Sequence, residues 1–171
     1  MNLFGELKWI DSYGGPFLLL EEQFLDKWRG VHVKDSRVLE SDYDRACNIE
    51  DYVGLVSVGS DFGIVLGDEP LMTVWYSPEP NTGLIVRWVY AENEASVIAS
   101  LANRQNVEWE KTELKVQLWD GELVLFDAAC EGIDLPDKIK IEISAGDYQI
   151  ETCHYKPNAE TYLLLHRFVQ F

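Results

Sequence analysis

Strict alternation of apolar and polar residues in the last third of the chain constrains the fold more than any other feature. Leu114, Val116 and Leu118 share one face against Glu113, Lys115 and Gln117, and Ile139, Ile141 and Ile143 share one face against Lys138, Lys140 and Glu142. A two-residue period puts apolar side chains on one side of an extended chain, which is the pattern of half-buried strands in antiparallel sheet. Asp120-Gly121 stands between the first of these strands and residues 122–126 and predicts a hairpin joining them. Residues 148–155 and 161–168 flank Lys156-Pro157-Asn158-Ala159 and predict a second hairpin.

The front half mixes two periods. Residues 21–28 place Phe24, Leu25 and Trp28 on one side of a short helix, with Gly30 as terminator. Residues 94–103 carry Val97, Ile98, Leu101 and Ala102 as one buried stripe behind an Asn93 cap, and Ser41 with Asp44 forms a capping box for a third short helix. Strands are expected at 17–20, 52–58, 63–66, 72–76 and 84–90, punctuated by Gly59, Gly67, Pro70, Pro78 and Pro80. The expected fold class is α+β, mainly antiparallel β-sheet with two or three short helices in the front half. A chain of 171 residues fits one domain, here with a mixed α/β lobe over 1–105 and an antiparallel β lobe over 106–171.

Charge excludes several function classes. Thirty acids against fourteen Lys and Arg give a net charge of -16, which repels phosphate backbones and anionic membranes, so neither nucleic acid nor membrane is expected as a direct partner. A hydrophobic content of 47% is ample for a core and excludes general disorder. No apolar run approaches the roughly 18 residues of a membrane span, and no basic segment precedes an apolar one as in a secretion signal. Cys47, Cys130 and Cys153 are odd in number and scattered, with no CxxC, which fits neither a disulfide framework nor a zinc knuckle. A reduced, cytoplasmic setting is expected.

No catalytic motif emerges from the residues. Gly59-Ser60-Asp61-Phe62-Gly63 has Asp61 where a nucleophile elbow needs serine, and reads as a hairpin turn. No phosphate-cradling glycine loop occurs. With the last hairpin turning near Asn158, His166 is expected opposite Glu151 and His154 opposite Tyr162, which makes cross-strand polar pairs rather than a metal site; no metal and no cofactor are expected. Asp68-Glu69-Pro70 sits at a strand end, where adjacent acids lack the separate environments needed to split their pKa values for acid–base work. Arg87 lies in an apolar strand and needs a partner if buried: either Asp68 or Glu69 supplies it, or Arg87 faces an edge with its stem over Trp88.

Five short motifs in order carry a family resemblance. They are Trp9, Ser12 and Gly14-Gly15-Pro16; Trp28-Arg29-Gly30; Asp42-Tyr43-Asp44-Arg45-Ala46-Cys47; Leu66-Gly67-Asp68-Glu69-Pro70; and Arg87-Trp88-Val89-Tyr90-Ala91. Together they resemble the immunity protein 21 family of bacterial polymorphic toxin systems, with a fainter likeness to competence protein J, an inhibitor of a DNA-entry nuclease. The resemblance implies a cytoplasmic, non-enzymatic protein that binds a cognate toxin domain and blocks it; a homodimer stays open. The roles of Gly14, Gly15, Pro16, Trp28, Gly30, Asp42, Tyr43, Asp44, Arg87 and Trp88 are not specified by it, and Gly14-Gly15-Pro16 reads equally well as a tight turn before a strand.

Residues 61–110 hold eight acids and two bases, a strongly one-sided stretch, and many such toxins are basic nucleases. The expected toxin-binding residues are therefore Asp68, Glu69 and Glu79 around the aromatic pair Trp75 and Tyr76. An unrelated acidic interaction module is the alternative reading, and a hydrolase using Asp68, Glu69 and a histidine the third.

Overall fold

Ten strands and three short helices follow one another among the described residues, which in the computed structural model are 7–33, 35, 37–67, 69–79, 83–119 and 122–171. The strands are β1 (Phe17–Glu21), β2 (Gly54–Val58), β3 (Asp61–Leu66), β4 (Thr73–Tyr76), β5 (Leu84–Tyr90), β6 (Glu110–Leu118), β7 (Glu122–Asp127), β8 (Ile139–Glu142), β9 (Gly146–Asn158) and β10 (Thr161–Gln170). A 3-10 helix (Glu22–Lys27), α1 (Asp42–Cys47) and α2 (Glu94–Ala102) complete the α+β fold. Among the described residues, no helix is long and apolar enough to cross a membrane.

The chain divides into two compact units that interleave in sequence. One, the β1 unit, takes Ile10–Pro70 and Leu118–Ala145; the other, the β10 unit, takes the described residues before Ile10 with Leu71–Gln117 and Gly146–Phe171. Residue 105 lies inside the Leu71–Gln117 segment, so the expected division near 105 and this division differ.

The β1 unit holds a sheet of order β2-β3-β1-β7-β8 with antiparallel pairings throughout. Phe17 to Leu20 form a continuous apolar run and are fully buried, as a central strand covered on both faces requires. Leu18, Leu20, Val65, Val124 and Phe126 pack with Trp28 and Ala46 in its core. Gly59, at φ +62, makes the tight turn between Val58 and Asp61. The expected helix at 21–28 is a 3-10 segment: Trp28 N donates to Leu25 O at 3.1 Å, Glu21 caps with no side-chain bond, and none of its residues is buried. So narrow an apolar face cannot hold a longer α-helix in place.

The β10 unit holds a sheet of order β4-β5-β10-β9-β6. Val97 and Leu101 of α2 pack on Val74, Tyr76, Leu84, Val86, Leu163 and Leu165. Asn93 accepts from Ser96 N at 2.9 Å, the cap expected from the sequence.

Two expectations about pairing need correction. Asp120-Gly121 lies outside the described residues, and the strands on either side of it do not pair: β6 stands next to β9, whereas β7 lies between β1 and β8. A half-wetted β6 suits a sheet edge, but Leu123 to Phe126 are all buried and need a neighbour on each side. In the β9–β10 hairpin, a bulge between Thr161 and Leu163 shifts the register, so His166 faces Thr152 and Arg167 faces Glu151, while His154 faces Leu164. Two residues of β9, Lys156 and Pro157, stand opposite Tyr162 alone, so the extra residue lies in β9 and moves every later partner by one.

Candidate functional site

Most of the family-like motif residues converge at one end of the β1 unit. Because Phe17 pairs with both Leu66 and Asp127, the chain enters β1 and leaves β3 and β7 at the same end. Loops 11–16 and 127–134 and the described residues of 28–41 meet there and are stitched together by short-range chemistry.

In the first loop, Ser12 Oγ donates to Gly15 O at 2.8 Å and Gly14 sits at φ +116, a turn that glycine permits. Gly15 lies against the Tyr43 ring, where a methyl group would overlap the hydroxyl. The buried Trp28 indole donates to Ala128 O at 2.9 Å. Gly30, at φ +58, lies against the carbonyls of Ala129 and Cys130, and its own carbonyl accepts from Tyr43 N at 3.0 Å. Asp42 accepts from Arg29 N at 2.7 Å and from Arg45 Nη2 at 2.7 Å, and Arg45 Nη1 reaches Ser57 O at 2.8 Å. Asp44 and Ser41 form the expected capping box. Asp127, nearly buried, accepts from Tyr13 N at 2.6 Å and from Ala129 N at 2.8 Å.

Burial, then the Cys47 side chain and the charges of Asp127 and Asp44, push the Tyr43 phenol up to about 12, so it stays protonated at neutral pH. The Ser41 backbone N–H and hydroxyl hold the Asp44 carboxyl below its usual range. These contacts fix loops; none of them sets a nucleophile beside a base.

The acidic candidates are not gathered in the same way. Asp68 lies outside the described residues. Glu69 is exposed in the β1 unit, whereas Trp75, Tyr76 and Glu79 belong to the β10 unit. Tyr76 is 3% exposed and packs with Val74, Leu84 and Val86, so of the aromatic pair only Trp75, half-buried over Gly83, reaches the surface. Adjacent strand residues point to opposite faces, which is why the two cannot both be surface anchors. Glu79 is exposed.

Arg87 is fully buried, on a strand flanked by β4 and β10, so it is not edge-facing. Its stem does not cover Trp88, which points to the other face and meets Trp9 edge-on at 5.2 Å. Trp9 Nε1 in turn donates to Glu94 Oε1 at 2.9 Å, tying the start of α2 to this core. His166 is also fully buried, its Nδ1 2.9 Å from Thr152 Oγ1; burial first, then the Arg87 charge, hold its pKa well below the imidazole range. It is a neutral core group, unsuited to act as a surface base. His154 bonds the Tyr162 hydroxyl at 2.6 Å, and His32 is exposed. Among the described residues no three His, Cys, Asp or Glu side chains converge as metal ligation requires, and all three cysteines are free thiols.

Three open surface cavities of about 420, 470 and 440 Å³ lie beside Arg29 and Val38, beside Asn106 and His154, and beside Tyr90 and Glu160. Neither Tyr43 nor His166, the groups pushed furthest from ordinary titration, lines any of them.

The sequence reading did not single out Tyr13, Val31, Leu39 or Ile133, which stand exposed on the stitched loops. The available signal was four apolar residues, Val31, Val33, Val38 and Leu39, with no helical or strand period across the polar stretch between Gly30 and the Ser41 cap.

The motif residues of the β1 unit order surface loops of an α+β chain. A family model described as Immunity protein 21 matches residues 8–161, so the chain belongs to that family, whose function is toxin neutralisation and whose members are in general not enzymes. Comparisons with curated proteins and with solved structures returned no match.

Proposed function

We propose that this chain is the cytoplasmic immunity partner of a bacterial polymorphic toxin, binding the cognate toxin domain one to one and blocking it without chemistry of its own. The observation that carries this reading is the family match, which spans residues 8–161 and therefore takes in strands from both units. Charge adds the kind of toxin. A chain at -16 attracts a basic protein, and nucleases that grip phosphate backbones are basic. Attraction of that kind speeds encounter toward about 10⁸ M⁻¹s⁻¹ at low salt.

The test is co-expression with the toxin domain encoded beside this chain. Growth should be restored by the wild-type chain, and nucleic acid should stay intact. A cell that dies equally fast with and without the chain at matched expression contradicts the reading.

A further inference from the structure

Ten large apolar side chains stand exposed among the described residues, and six of them lie on the three stitched loops of the β1 unit. They are Tyr13 at 84%, Leu39 at 99%, Ile133 at 66%, and Val31, Val33 and Val38 at about half. Exposed apolar groups gathered in one place mark interaction sites, whereas scattered ones need no explanation. These are gathered: Val31 N donates to Ala129 O at 3.2 Å, Gly132 N to Trp28 O at 3.1 Å, and Tyr13 N to Asp127 Oδ2 at 2.6 Å, so the three loops form one surface.

Part of that surface is pre-ordered. Tyr13, Val31 and Ile133 sit on or next to backbone bonded to Asp127, Ala129 and Trp28, so a partner meets there side chains that need little further ordering on binding. Its rim is acidic. Asp11, Glu40, Asp134 and Asp137 are exposed around it, and Glu69 stands at the same sheet end because Leu66 pairs with Phe17. Arg37 is taken up by Asp35, its Nη2 2.6 Å from Oδ2. The cavity of about 420 Å³ beside Val33 and Val38 is of mixed charge, lined by Asp26, Glu40 and Asp42 and by Lys27, Arg29 and His32, so the acidic excess of the rim comes from Asp11, Glu40, Glu69, Asp134 and Asp137. An apolar centre with a charged rim is the anatomy of a protein interface, and this rim fits a basic partner. A second copy would set the acidic rim against itself on chains of charge -16, which opposes self-association.

We infer that this loop end of the β1 unit is the docking face for a basic protein surface, that of the toxin domain; the inference rests on the function proposed above. The expected interface covers roughly 800 Å² per partner. On this view the motif residues beneath it hold the shape of the face without touching the toxin.

The experiment measures affinity for the purified toxin domain by calorimetry, with the full chain. Leu39→Asp together with Ile133→Asp changes two exposed anchors and should weaken binding by about thirty-fold for each anchor. Phe62→Ser, an exposed apolar group at the opposite end of β3, should leave affinity within about threefold of wild type, the spread of a contact that is not an anchor. Hydrogen exchange on the wild-type complex should protect residues 11–16, 29–41 and 128–135, an outcome independent of how the variants fold. Wild-type affinity in the double variant, protection confined to other segments, loss of binding on Glu79→Lys alone, or a wild-type dimer that shields these loops overturns the docking face and leaves the proposed function standing. A wild-type chain that does not bind the toxin domain overturns both.

Discussion

Gly30 shows how much one residue settles at this site. Its φ of +58 is costly for any residue with a side chain, and a methyl group would collide with the Ala129 and Cys130 carbonyls, which are backbone and cannot swing away. Gly30→Ala is expected to cost on the order of 3 kcal/mol, strain and overlap combined, read as a lower urea midpoint. A change of a few tenths would mean that the three loops are not locked at this point. His166 gives a second test, with a defined sign. Its imidazole is neutral in the folded chain and titrates near 6.5 when unfolded, so the unfolded state binds the extra proton as pH falls. Stability from this group is complete above about pH 6.5 and is lost below it, by about 2 kcal/mol between pH 7 and pH 5. His166→Leu should flatten the pH profile by that amount; parallel profiles would show that His166 is protonated in the fold. The sequence placed His166 on a strand but could not show its burial, because that follows from β5 and β9 flanking β10 on both sides, a pairing that no local pattern reports.

At the scale of elements, local chemistry was legible wherever it was self-contained. The Asn93 cap, the Ser41–Asp44 capping box and the Gly59 turn each involve residues at most four positions apart, and each formed as its spacing required. Asn93→Ala should cost about 1 kcal/mol, because the Ser96 amide at the start of α2 loses its acceptor. An unchanged melting temperature would show that the Trp9–Glu94 contact alone holds that helix end. Pairing was less legible. An Asp-Gly dipeptide reports that the chain turns, yet β7 answers to Leu18 and Leu20 across the sheet, residues about a hundred positions away. The same limit applied to the aromatic pair: Trp75 and Tyr76 looked like one feature in sequence, and strand alternation assigned them to opposite faces.

For the whole molecule, the proposed function gives charge and apolar exposure two separate jobs. On that proposal the net charge of -16 brings a basic partner in, and the apolar loop end of the β1 unit supplies contacts that outlast the encounter. Raising salt from 50 to 500 mM should therefore slow association by an order of magnitude or more, about the gain that steering confers, with a much smaller change in dissociation rate. A salt-independent association rate would remove steering from the account. The acidic excess was visible in composition. The proposed docking end was not, because its six apolar residues come from three loops that only the β1–β7 pairing and the Val31–Ala129 and Gly132–Trp28 backbone bonds bring together.

The most direct measurement is a titration of the toxin domain's activity with the purified chain. A stoichiometric inhibitor gives a linear fall in activity that reaches its floor at one equivalent, with active toxin recovered when the complex is dissociated in denaturant and the toxin refolded. Inactivation of many equivalents by one, or toxin activity unchanged at several-fold excess, would contradict an immunity protein that works by binding alone.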